Sequence, residues 1–87
     1  MSYLLMFRSL TYAQRGARTL ERAGVTGTVT RLPRAAGGGG CTYGVIVSPR
    51  NLRPALEALR KAGTPPQKIW ERDGDGSLRE VDPNDLP

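Results

Sequence analysis

Tyr3-Leu4-Leu5-Met6-Phe7 is an uninterrupted apolar run stopped by Arg8-Ser9, and its reading decides the fold. A short run without a polar break, rich in aromatic and aliphatic residues, suits a strand buried on both faces in the middle of a sheet. The same kind of run returns at Thr42-Tyr43-Gly44-Val45-Ile46-Val47. Two such runs ask for two central strands, so the elements around them must supply the edges and the cover.

A helical pattern follows each run. After the first, Ala13, Ala17, Leu20 and Ala23 recur at helical spacing, while Gln14, Arg15, Arg18 and Arg22 fall elsewhere. Ser9 and Thr11 are both competent N-caps, and Gly24 suits the position just past the end. The small residues Ala13, Gly16 and Ala17 let this helix lie close to a sheet. After the second run, Leu52, Ala55, Leu56, Leu59 and Ala62 draw an apolar helical face. Pro54 is tolerated there in the first turn, and Gly63 ends the helix.

Val25–Leu32 is threonine-rich and weakly alternating, as an edge strand is, and Pro33 ends it. Lys68-Ile69-Trp70-Glu71-Arg72 forms the fourth strand, with Trp70 expected as a core plug beneath the second helix. The order βαββαβ predicts a ferredoxin-like α+β two-layer sandwich: an antiparallel sheet in the order 4-1-3-2, with both helices on one face. Residues 1–72 make this single domain. Asp73-Gly74-Asp75-Gly76 reads as a turn and residues 73–87 as an acidic, loose tail.

Composition narrows the function. The 87 residues contain no histidine, which removes the commonest general base and metal ligand, and a single cysteine, Cys41, which excludes an intramolecular disulfide. No metal site and no cofactor are expected, and no apolar run approaches a membrane span. These features together predict a cytoplasmic protein. Residues 1–68 hold 11 Lys/Arg against Glu21 and Glu57, a charge of +9, whereas residues 69–87 hold 2 against 6, a charge of −4. A basic body attracts nucleic acid, an anionic small molecule or an acidic partner.

Between the second and third strands stands Arg34-Ala35-Ala36-Gly37-Gly38-Gly39-Gly40-Cys41. Neither a Walker motif nor a GxGxxG fingerprint fits here, because Gly40 leads through Cys41-Thr42 into a strand. Successive glycine amides are suited to wrapping an anion. The predicted topology brings this link to the end of the sheet where the first strand exits. Cys41 is then expected near Arg8, Ser9 and the amides of Leu10–Tyr12, a setting that lowers a thiol pKa from its usual value of about 8.5.

The opening strand Tyr3–Ser9, the alanines of the first helix, Ala23-Gly24-Val25, Leu32-Pro33-Arg34 and the small residues running into Cys41 together resemble the Putative Se/S carrier protein-like family of small bacterial proteins. The similarity runs from about Tyr3 to Trp70. Family members typically carry serines before the cysteine and a glycine after it, where this chain has Gly37–Gly40 and Thr42. The resemblance implies a carrier rather than a turnover enzyme, with Cys41 holding a persulfide or selenopersulfide. Arg34, the amides of Gly38, Gly39 and Gly40, Thr42 and Arg8 would form its surroundings. The implied partners are sulfur or selenium donor and acceptor proteins.

The competing expectation is a binding or regulatory module, for a protein partner or RNA, that acts through the sheet face left open by the helices. It includes a homodimer through that face. An RNA-recognition module would need Tyr3, Phe7 and Tyr43 displayed on the open sheet. Strand three has aliphatics where further aromatics belong, so nucleic acid is not the expected partner.

Overall fold

The order of elements follows from two hydrophobic runs competing for the same shelter. The computed structural model describes residues 1–31 and 43–82. They form β1 (Ser2–Phe7), α1 (Leu10–Arg22), β2 (Thr28–Arg31), β3 (Tyr43–Val47), α2 (Leu52–Lys61), β4 (Lys68–Arg72) and β5 (Leu78–Val81). The sheet is antiparallel throughout, in the order β2-β3-β1-β4-β5. The two apolar runs do take the inner positions, β1 between β3 and β4. The architecture is α+β and ferredoxin-like, extended by one strand.

Alternation along β1 separates two packed faces. Tyr3, Leu5 and Phe7 point to the helices, where they meet Val45 and Val47 of β3, Ile69 of β4, Ala13 and Leu20 of α1, and Leu52, Ala55 and Leu59 of α2. Leu5, Leu20, Val45 and Leu59 are wholly buried. Each such side chain contributes about 1.5–3 kcal/mol relative to exposure. The opposite face carries Leu4, surrounded by the partly buried Met6, Ile46, Trp70 and Leu78.

The helix ends are set by the residues expected to set them. Ser9 caps α1, its hydroxyl accepting from the Tyr12 amide at 3.4 Å. Gly24 and Gly63 follow the two helices at φ of 76° and 73°, the left-handed region that costs other residues energy. Gly16 lies against the ring of Phe7 so closely that a Cβ would stand 2.8 Å from its Cζ. Small residues on α1 therefore let the helix sit down on β1.

Four expectations need correction or narrowing. Residues 73–87 are not all loose, because Leu78–Val81 pairs with β4 from Ile69↔Val81 to Arg72↔Leu78. A tight turn joins the two strands. The Asp73 amide donates to the Ser77 carbonyl at 3.0 Å, the Ser77 amide donates to Asp75 Oδ1 at 2.9 Å, and Gly76 adopts φ of 89°. Leu-Arg-Glu-Val hides this strand in the sequence because it puts one apolar residue on each face and charge on both. Trp70 is not beneath α2: its neighbour Ile69 fills the helix side, and Trp70 faces the other way beside Leu4. Tyr3, Phe7 and Tyr43 all belong to the helix side, so among the five aromatic residues only Trp70 stands on the open sheet face. Finally, β2 begins at Thr28, because Val25 turns into the core instead, its amide bonded to the Leu20 carbonyl at 2.8 Å.

A polar chain closes the helix side at the β4–β5 edge. The buried Tyr3 hydroxyl donates to Glu71 Oε2 at 3.3 Å, and Arg79 Nη2 donates to Glu71 Oε1 at 2.9 Å. Burial first, and then the Glu71 carboxylate, hold the Tyr3 phenol above its usual pKa.

Two outcomes follow from this packing. Gly16→Ala gains about 1 kcal/mol of helix propensity but forces the Phe7 ring to move, at about 1–3 kcal/mol. A net loss in denaturant unfolding is expected, and a gain would show that the ring yields freely. The unfolded Tyr3 releases its proton near pH 10, while the folded one keeps it to higher pH. Its contribution is therefore full below about pH 10 and declines as pH rises through the raised value. The stability difference between the wild type and Tyr3→Phe is expected to be constant up to about pH 10 and to shrink as pH rises above it; a difference that stays constant above that pH would contradict the proton linkage.

Candidate functional site

Antiparallel pairing brings three chain ends to one end of the sheet. Phe7, the last residue of β1, pairs with Tyr43, the first of β3, and Tyr43 pairs with Arg31, the last of β2. The connection from 32 to 42 therefore departs and returns where β1 passes into α1. Arg8 and Ser9 make that passage, and α1 starts at Leu10.

Of the expected site residues, Arg8 is described and stands where the topology put it. It is exposed at the exit of β1, with its guanidinium carbon 5.0 Å from the centroid of the Tyr12 ring. Arg34, Gly38, Gly39, Gly40, Cys41 and Thr42 lie outside the described residues. The expectations placed on them, including a lowered thiol pKa at Cys41, are neither met nor refused by the fold.

The described rim is electropositive. Ala13 makes the first intrahelical bond of α1, its amide donating to the Ser9 carbonyl at 3.0 Å, and of the four amides that a helix start leaves without an intrahelical partner that of Tyr12 is capped by the Ser9 hydroxyl. The first turn holds no acidic residue. Arg31 Nη2 donates to the Tyr43 hydroxyl at 3.4 Å, and its guanidinium carbon lies 5.8 Å from that ring's centroid. Helix start, Arg8 and Arg31 all favour negative charge at this end.

The rim continues into a groove that the sequence reading missed. A cavity of about 710 Å³ runs between α1 and the α2–β4 connection, with Arg8, Arg15, Arg18 and Arg22 along one wall and residues 62–67 along the other. The spacing i, i+3, i+7 from Arg15 to Arg22 was the available signal. Read only as the polar side of an amphipathic helix, it did not announce a concave neighbour.

The arrangement defines a small ferredoxin-like protein with a cationic end, built without histidine. The sequence profile of the Putative Se/S carrier protein-like family matches residues 2–71. The chain belongs to that family. No curated protein matches the chain, and no solved structure does. Among the described residues no helix is long and apolar enough to cross a membrane.

Proposed function

We propose that the protein carries sulfur or selenium on Cys41 and passes it from a donor protein to an acceptor protein. The observation that carries the reading is the family match over residues 2–71, a span that contains the chain's single cysteine. The electropositive rim of Arg8 and the α1 start, at the end of the sheet where the segment bearing Cys41 is anchored, supports it.

The chemistry balances without an oxidant. The Cys41 thiolate attacks the terminal sulfur of a donor persulfide. A new S–S bond forms to Cys41, the donor's S–S bond breaks, and the donor leaves as thiolate. An acceptor nucleophile then takes the terminal sulfur, and Cys41 returns to thiolate. Gly38–Gly40 and Thr42 would donate backbone hydrogen bonds to the terminal anion, and Arg34 would add charge, as preorganised donors do for an oxyanion. Such a cycle needs no resident cofactor, and the rest of the chain serves to place one thiol. The cycle requires Cys41 to be a thiolate at the neutral pH of a cytoplasmic carrier.

A second reading rests on the open sheet face. Ile46, Leu4 and Trp70 lie side by side across β3, β1 and β4, and the Trp70 Nε1–H is buried without an acceptor among the described residues. Leu4 is itself buried, so the accessible apolar surface is that of the half-buried Met6, Ile46, Trp70 and Leu78 around it; surface of this kind is used for association, and a second copy of the chain brings a matching patch. Lys68, Arg72 and Glu80 on the same face supply both signs of charge for a two-fold pairing.

For the carrier, mass spectrometry after treatment with a persulfide donor is expected to show one added sulfur on the wild type and none on Cys41→Ser; equal labelling removes Cys41 from the function. Alkylation of the wild type should titrate below the ordinary thiol value of about 8.5. For the second reading, light scattering is expected to give a dimer mass that reverts to monomer in Ile46→Lys. A monomer at every concentration of wild type rejects self-association.

A further inference from the structure

The groove beside α1 combines three properties that a solvated helix face does not need. It is concave, with Phe7 at its base and the wall Ala62-Gly63-Thr64-Pro65-Pro66-Gln67 opposite the arginines. No Asp or Glu of the described residues lines it, and the described ion pairs, Lys68–Glu80 and Arg79–Glu71, lie elsewhere. Arg15, Arg18 and Arg22 repeat at i, i+3 and i+7, so like charges are stacked on one strip of helix, an arrangement that opposes helix formation. Arg8, in the passage from β1 to α1, lines the same groove and is steadied over the Tyr12 ring.

We propose that this groove binds a chain of phosphate groups. At about 1.5 Å of rise per residue, Arg15 to Arg22 cover about 10 Å. A base-stacked strand advances about 3.4 Å of axis per phosphate, so three guanidinium groups over that length face up to about three charges. Arginine is the side chain whose planar fork matches phosphate oxygens in pairs. Thr64 and Gln67 line the same space and bring neutral polar side chains to it. Bound phosphate would relieve the repulsion within α1, so the ligand stabilises the fold as it binds. Recognition rests on the phosphates, because the charged side chains that line the groove are all arginines.

The test uses the full chain carrying Cys41→Ser, which keeps thiol chemistry out of the measurement and separates this outcome from that of the carrier reading. Sodium tripolyphosphate is titrated by calorimetry and a short fluorescent single-stranded RNA by anisotropy. Three phosphate contacts predict that RNA affinity falls about twentyfold between about 50 and 200 mM salt. The variant Arg15→Gln/Arg18→Gln/Arg22→Gln is expected to lose about tenfold or more in affinity and most of that salt slope. The charge-matched control Arg50→Gln/Arg53→Gln/Arg72→Gln, none of them lining the groove, should lose less than about threefold. Circular dichroism confirms that both variants fold. Binding of RNA alone places the phosphates on a nucleic-acid strand, and binding of tripolyphosphate alone places them on a small molecule; either supports the site. Equal losses in the two variants, no binding of either probe at about 0.1 M salt, or polyglutamate binding as tightly as the phosphates overturns it.

Discussion

The structure depends on β1 being paired on both sides while it alternates between two apolar faces. Tyr3, Leu5 and Phe7 form the floor on which both helices rest, and Leu4 centres the cluster on the other side. A shift of one residue in its register with β3 or β4 would exchange these sets and strip the helices of their floor. The close contact between Gly16 and Phe7 adds a second restraint, since it lets α1 approach the sheet at the residue that precedes Arg8. Core packing and the cationic end thus share one strand.

Most of this was legible in the residues. Continuous apolar runs marked β1 and β3 as interior, threonines and Pro33 marked the β2 edge, and Ser9, Gly24 and Gly63 marked helix limits that the structure keeps. Strand β5 was not legible because pairing, and not its own side chains, makes it a strand. Its four residues place Leu78 and Val81 on opposite faces and two charges between them. Trp70 was misplaced for a related reason. In a strand apolar on both sides, alternation says that Ile69 and Trp70 face opposite ways, but only the register says which of them meets α2.

For the candidate site, topology carried the reading as far as the rim. Knowing that β3 lies between β1 and β2 was enough to bring the connection between them to the α1 start, and Phe7↔Tyr43↔Arg31 is that geometry realised. The arginine groove escaped because a helical repeat reports which residues share a stripe, and says nothing about the wall a later connection builds opposite. Pro65 and Pro66, read as a break before β4, supply part of that wall.

The β4–β5 hairpin also governs how copies of this chain meet. A sheet edge presents unpaired backbone groups that template further strands, and β5 covers the edge that β4 would otherwise present, ending the row with Arg79 and Glu80. At the other end β2 has only four residues, two of them threonine and one arginine. Both outer strands are short and polar, so strand-by-strand growth into aggregates is disfavoured. Contact between copies is thereby left to the faces of the sheet and not to its edges.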